Sequence, residues 1–413
     1  MRKLLIFPIF IATLLISCAS DDDNTTTPEP VNEAVVAPAT YVFTRNSENT
    51  VSFGGQSTRI AMAEEIISAF KNQGSATQAS LQAMFNHQEG ASDFSDALLN
   101  ASDKSARSKT AASKDFFGSN ATEATAIKAQ FDQYITSQTT EVFPNWSTIA
   151  SEGVAGQFAD GSSTRYVSPK GLEYNQAFAK GVIGGLMTDQ IINNYLSPAV
   201  LDAESNVENN DNNVLEGDKP FTTMEHKWDE AYGYLFGAVD PINIANPVPS
   251  IGDADSFLNK YVGRVTGDSD FENIAQEIFD AFKLGRAAIV AKNYEVRNAQ
   301  AAILQQKISE VIAIRTIYYL QNGKLALEEG NNGGAFHDLS EGYGFLTSLR
   351  FTRDIQNGSA LFSRSEVDGF VTNLMTSGGD NGFWNLTSAT LDSISEAIAA
   401  KFSFTVAQAA STN

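Results

Sequence analysis

Apolar positions along the chain recur mostly at intervals of three and four residues, the period of an amphipathic helix. Ile60, Ala63, Ile67 and Phe70 begin the pattern, with Ser57 or Thr58 as the expected N-cap. Phe271, Ile274, Ile278, Phe282 and Ile289 continue it on a face interrupted near Gly285. Leu304, Ile308, Val311, Ile312 and Tyr319 repeat it between Glu295 and Leu320, and Gly323 just beyond is the expected helix stop. Leu391, Ile394, Ile398 and Phe402 close the series. One stretch alternates instead: Tyr41-Val-Phe-Thr, a polar turn from Asn46 to Asn49, then Val51-Ser-Phe53 before Gly54-Gly55, which predicts a β-hairpin. The polar segment from Ala203 to Lys219 lacks the Gly and closing Glu of an EF-hand loop and reads as solvated loop.

A short pattern occurs twice within this helical frame. His226, Glu230, Tyr232, Gly233, Tyr234 and Leu235 are matched in order and spacing by His337, Glu341, Tyr343, Gly344, Phe345 and Leu346. The copies are offset by 111 residues (337 − 226), and they use two of the three histidines in the chain. A long apolar helix precedes each copy, Gly181 to Leu196 and Ala301 to Leu320, and both helices end in Tyr-Leu. The expected fold class is therefore all-α: duplicated helical bundles with a short N-terminal β-hairpin. The helical domain runs from 40 to 413, with related halves at about 57–250 and 251–413.

On a helix, residues four apart share a face, so each copy presents an imidazole and a carboxylate to one point. If the two copies met across a pseudo-two-fold, His226, Glu230, His337 and Glu341 would offer two nitrogens and at least two oxygens to a divalent transition metal, iron or zinc. Tyr232 and Tyr343 would support that site, and Gly233 and Gly344 would permit close helix approach. The competing reading is that each His-Glu pair bonds internally or to loop backbone and secures the bundle halves. His87 lacks any such partner pattern and reads as a surface or capping residue. Trp146, Trp228 and Trp384 are scattered, which favours packing over a sugar-stacking platform.

The N-terminus bears on location. Arg2 and Lys3 precede an apolar run from Leu4 to Ile16, too short for a membrane span and suited to a signal peptide over residues 1–17. Leu15-Ile16-Ser17-Cys18 follows as a bacterial lipobox, and Cys18 is the only cysteine, so it is the expected lipidation site. Residues 18–39 read as lipidated Cys and flexible tether. The membrane is thus a partner through the lipid anchor. A net charge of −21 repels phosphate backbones and argues against nucleic acid.

With these residues in view, two resemblances can be stated. The Tyr41-to-Arg45 opening (Tyr-x-Phe-Thr-Arg) and the Trp228-Asp-Glu-Ala-Tyr-Gly stretch resemble an uncharacterised lipoprotein family of Bacteroidota, domain of unknown function 4856. Ser20-Asp21-Asp22-Asp23 behind Cys18 resembles the acidic export signal of that phylum's surface lipoproteins. More distantly, the duplicated His-Glu helices resemble the imelysin group, helical proteins of the periplasm or outer membrane. That group's motif spaces His and Glu three apart after a Gly, whereas here they are four apart and Glu225 precedes the His. The imelysin resemblance implies a role in iron uptake. Together with the lipobox, the expected place is the outer membrane, lipid-anchored, with either the periplasm or the cell surface as its face, and an outer-membrane transporter is the expected partner.

There is no His-Glu-x-x-His zincin motif, no Gly-x-Ser-x-Gly elbow, no P-loop and no dinucleotide fingerprint, so no catalytic residue is assigned and a non-enzymatic role is favoured. Three functions remain as expectations: a lipoprotein binding a metal ion or metal complex in iron acquisition; a glycan- or protein-binding partner of a transporter; and an imelysin-like peptidase.

Overall fold

The computed structural model describes residues 34–411. The signal peptide, the lipobox with Cys18 and most of the tether lie outside the described residues. The expected hairpin is present but short: Thr44–Arg45 pairs antiparallel with Glu48–Asn49. Its turn residues Asn46 and Ser47 have φ of 51° and 68°, as the right-handed twist of a two-residue hairpin requires. A second ribbon, Gly156–Asp160 with Ser163–Val167, went unpredicted. The Asp160-Gly161 dipeptide at its turn is an ordinary hairpin signal.

The rest is helical, as expected. The first helix, Gly54–Ala69, begins three residues before the expected Ser57 cap, because Gly54 and Gly55 open the helix rather than close the hairpin. The segment before the first motif is one long rod: Tyr174–Val182 is α-helical and continues through two π-helical stretches, Ile183–Thr188 and Ile191–Tyr195. The first motif helix, Thr223–Phe236, starts at a capping box in which Thr222 and Glu225 satisfy each other's backbone amides. Before the second motif stands a helix of 35 residues, Tyr294–Glu328. Gly323 lies inside it rather than ending it, and a Cβ there would fall 2.6 Å from Cγ of Leu339. It lets the long helix lie close to the second motif helix, Asn332–Ser348.

These helices explain how the repeat is built. The front of the 174–195 rod packs on the second motif helix, and its π-helical end packs on the first. Gly54–Ala69 takes the corresponding front position on the first motif helix, and Tyr294–Glu328 the corresponding rear position on the second. One rod thus packs on both motif helices. The described residues from Val35 onward form a single compact unit around one continuous apolar core.

Other residues fall into place within this frame. His87 is buried rather than exposed, its Nδ1 2.7 Å from Asp93. Trp228 is buried, Trp146 stacks on Tyr166 and Trp384 donates to the Pro169 carbonyl, so the three form no common platform.

Candidate functional site

The two motif copies do not meet. His226 and Glu230 line one cleft, of about 700 Å³, and His337 and Glu341 line another, of about 520 Å³. The clefts have no lining residue in common. Among the described residues no group of three or more His, Cys, Asp or Glu is arranged to hold a metal ion. The single four-residue centre drawn from the repeat is thus replaced by two separate places.

Both clefts are assembled the same way. A Cβ on Gly233 would lie 2.3 Å from Cβ of Phe53, and one on Gly344 would lie 2.5 Å from Cβ of Lys180. Each motif helix therefore presses its glycine against a front helix, and close approach requires glycine at both positions. That contact carries Gln56 to Glu230 and Lys180 to Glu341. The rear helices supply Tyr195 to the first cleft and Tyr319 to the second. Gln56 to Lys180 and Tyr195 to Tyr319 are both separated by 124 residues (180 − 56 and 319 − 195). The Tyr-Leu pairs are the visible trace of this: Tyr195-Leu196 ends its rod, whereas Tyr319-Leu320 lies inside a helix that runs on to Glu328. Gln56 and Lys180 left none, since a polar residue on an apolar helix face has no period of its own.

The same scaffold holds different chemistry in each copy. In the first, Glu230 accepts from Gln56 at 3.0 Å and Lys227 at 2.7 Å. Burial would raise the Glu230 pKa, but Lys227 and His226 outweigh it and hold it below the usual range. The His226 ring stacks on Phe221, and its Nδ1 is buried without a hydrogen-bond partner. Burial lowers its pKa, so the imidazole is neutral at pH 7. Around this pair stand Arg59, Lys104, Lys109 and Lys114, with Glu204 the only other carboxylate on the wall among the described residues. Lys109 and Lys114 make no ion pair among the described residues. Burial and then the repulsion of Arg59 lower the Lys109 pKa.

In the second cleft the imidazole is locked between carboxylates. Nδ1 of His337 is 3.1 Å from Glu173, and Nε2 is 3.6 Å from Glu341. Burial alone would lower the His337 pKa, but the bond to Glu173 and the nearby Glu341 raise it. Glu341 is buried, yet Lys180 and His337 hold its pKa at about 2. Burial pushes Asp338, next to the histidine, up to about 6.

Tyr232 and Tyr343 line neither cleft. Tyr232 donates to the Ile244 carbonyl at 2.6 Å and stacks on Tyr41, and Tyr343 packs edge-on against Tyr134. They hold the backs of the motif helices. Tyr41 also donates to Asp229, which with Glu225 pairs with the fully buried Arg286, and Arg45 pairs with Glu225. The Tyr-x-Phe-Thr-Arg opening and the Trp-Asp-Glu-Ala-Tyr-Gly stretch are thus two sides of one lock.

Residues 38–405 match the family described as Domain of unknown function (DUF4856). The chain belongs to this family. Neither a curated protein nor a solved structure matches it. The match spans the hairpin, both motif helices, the first cleft and all of the second except Ala409 and Ser411, so the lock falls within the family's domain.

Proposed function

We propose that this is a lipid-anchored protein of the outer membrane or cell surface whose first cleft binds a small anionic metal complex, serving iron acquisition beside an outer-membrane transporter. One observation carries the reading: five cationic side chains, Arg59, Lys104, Lys109, Lys114 and Lys227, line a cleft with two carboxylates in a chain of net charge −21. Cations gathered against the overall charge focus an attractive field on an anion. A bare iron or zinc ion is the less favoured occupant, because Lys227 and Gln56 already hold Glu230 and the remaining cations repel it. A metal wrapped in a polycarboxylate presents negative charge outward and suits the same groups. His226 adds a neutral ring with one uncommitted nitrogen. The glycan- or protein-binding and peptidase readings have no comparable cluster behind them.

Titration calorimetry of the full chain with ferric citrate, citrate, and iron or zinc salts tests this. Ferric citrate is expected to bind, and the Lys109→Met/Lys114→Met double variant to bind at least about tenfold more weakly, a loss of about 1.4 kcal/mol. Saturable binding of the bare ions alone would overturn the proposal in favour of the metal-ion reading. No binding of any of them would move the function to a glycan or protein partner.

A further inference from the structure

The second cleft contains a group that the His-Glu motif does not explain. Arg315, from the 35-residue helix, lines this cleft and is only 7% exposed. Its guanidinium lies 3.8 Å from the ring centre of Tyr318, 4.6 Å from Tyr319 and 5.5 Å from Tyr261. It makes no hydrogen bond or ion pair with any described residue, and its Nε is buried without a partner.

Every other buried arginine among the described residues has a hydrogen-bond or ion-pair partner. Arg286 bonds Glu225, Asp229 and Thr50, Arg297 pairs with Asp202, Arg350 with Asp368 and Arg353 with Asp115, and Arg59 donates to the Ser105 and Gly55 carbonyls. A buried charge without a partner is costly, and native structures supply one. The nearby carboxylate, Glu341, is already shared among Lys180, His337 and Tyr261. Lys260 and Arg264 also line the cleft and add positive charge, against the carboxylates of Asp268 and Asp338.

We propose that the second cleft is a binding site for a small organic carboxylate, with the Arg315 guanidinium as its anchor. A carboxylate matches the planar fork of a guanidinium through two parallel hydrogen bonds and would satisfy donors that the protein leaves open. The tyrosines fix the plane of that fork through cation–π contact, so little freedom is lost when the ligand arrives. The site does not rest on the proposal for the first cleft, with which it has no lining residue in common.

The test is calorimetry of the full chain with acetate, succinate, citrate and inorganic phosphate as probes. At least one carboxylate is expected to bind saturably. Arg315→Met should weaken it at least about tenfold, and Arg315→Lys, which keeps the charge and loses the fork, should recover only part of the affinity. Tyr318→Leu, at a half-buried position, tests the cage if an Arg315 variant folds poorly, and is also expected to weaken binding. The Lys109→Met/Lys114→Met variant should leave this site's affinity unchanged. The proposal is overturned if no carboxylate binds, if phosphate alone binds, or if folded Arg315→Met and Tyr318→Leu variants bind as the parent does.

Discussion

Lys180 stands 3.4 Å from Glu341, at the place where the first cleft has Gln56 donating to Glu230 at 3.0 Å. The duplication has kept the geometry and changed the charge. Both members of the Lys180–Glu341 pair are nearly buried. Removing one partner of such a pair leaves a charge without compensation. Lys180→Met is therefore expected to cost about 3 kcal/mol, the lower end of the range for buried pairs because His337 and Tyr261 still reach Glu341. Gln56→Met removes a neutral donor and should cost about 1 kcal/mol, since Lys227 remains on Glu230. Urea unfolding of the two variants measures both.

The two motif histidines should titrate in opposite directions. An imidazole NMR titration is expected to place His226 below the ordinary value of about 6.5 and His337 above it. For His226, whose folded pKa is lowered, the unfolded chain takes up the proton first, so the protein loses stability as pH falls below about 6.5. For His337, whose folded pKa is raised, the stabilisation is full below about 6.5 and is lost as pH rises through the folded value. Melting temperatures should follow: His226→Gln gains relative to the parent on acidification, and His337→Gln gains relative to it on alkalinisation. Equal pKa values for the two rings would contradict the assigned environments.

Two glycines within helices should respond with opposite signs. Gly344→Ala forces a Cβ to 2.5 Å from Cβ of Lys180 and 3.1 Å from backbone atoms of the front helix, and should destabilise by about 1–3 kcal/mol. Gly369→Ala meets nothing within 4 Å inside the Arg364–Thr376 helix and should stabilise by up to about 1 kcal/mol. Thermal melts of the pair separate packing from helix propensity.

How much of this was readable follows from what leaves a periodic trace. The helices, the hairpin and the duplication were legible because apolar spacing and a six-residue match survive in one dimension. The separation of the two motif copies was not. It depends on one rod, 174–195, packing on both motif helices, and nothing local in its sequence says so. The gathering of cations in the first cleft was hidden for a related reason: Arg59, the stretch carrying Lys104, Lys109 and Lys114, and Lys227 come from three separate segments and converge only in the fold. Nothing in the sequence sets Arg315 apart: what distinguishes it is the fold, which brings Tyr261 from another helix beside Tyr318 and Tyr319.

Cys18 lies outside the described residues, and its lipidation remains a prediction from the lipobox. Cys18→Ser should release the protein from the membrane fraction or leave it unprocessed. Unchanged fractionation would contradict the anchor.

The central claim is that the motif copies form two independent sites. Hydrogen exchange of the Arg315→Met chain, with and without saturating ferric citrate, tests it most directly. The account predicts slowed exchange confined to the first cleft, in segments 52–59, 104–114 and 223–230, with 258–268 and 332–341 unchanged. Slowing at both motif helices together, or at the second alone, would contradict it.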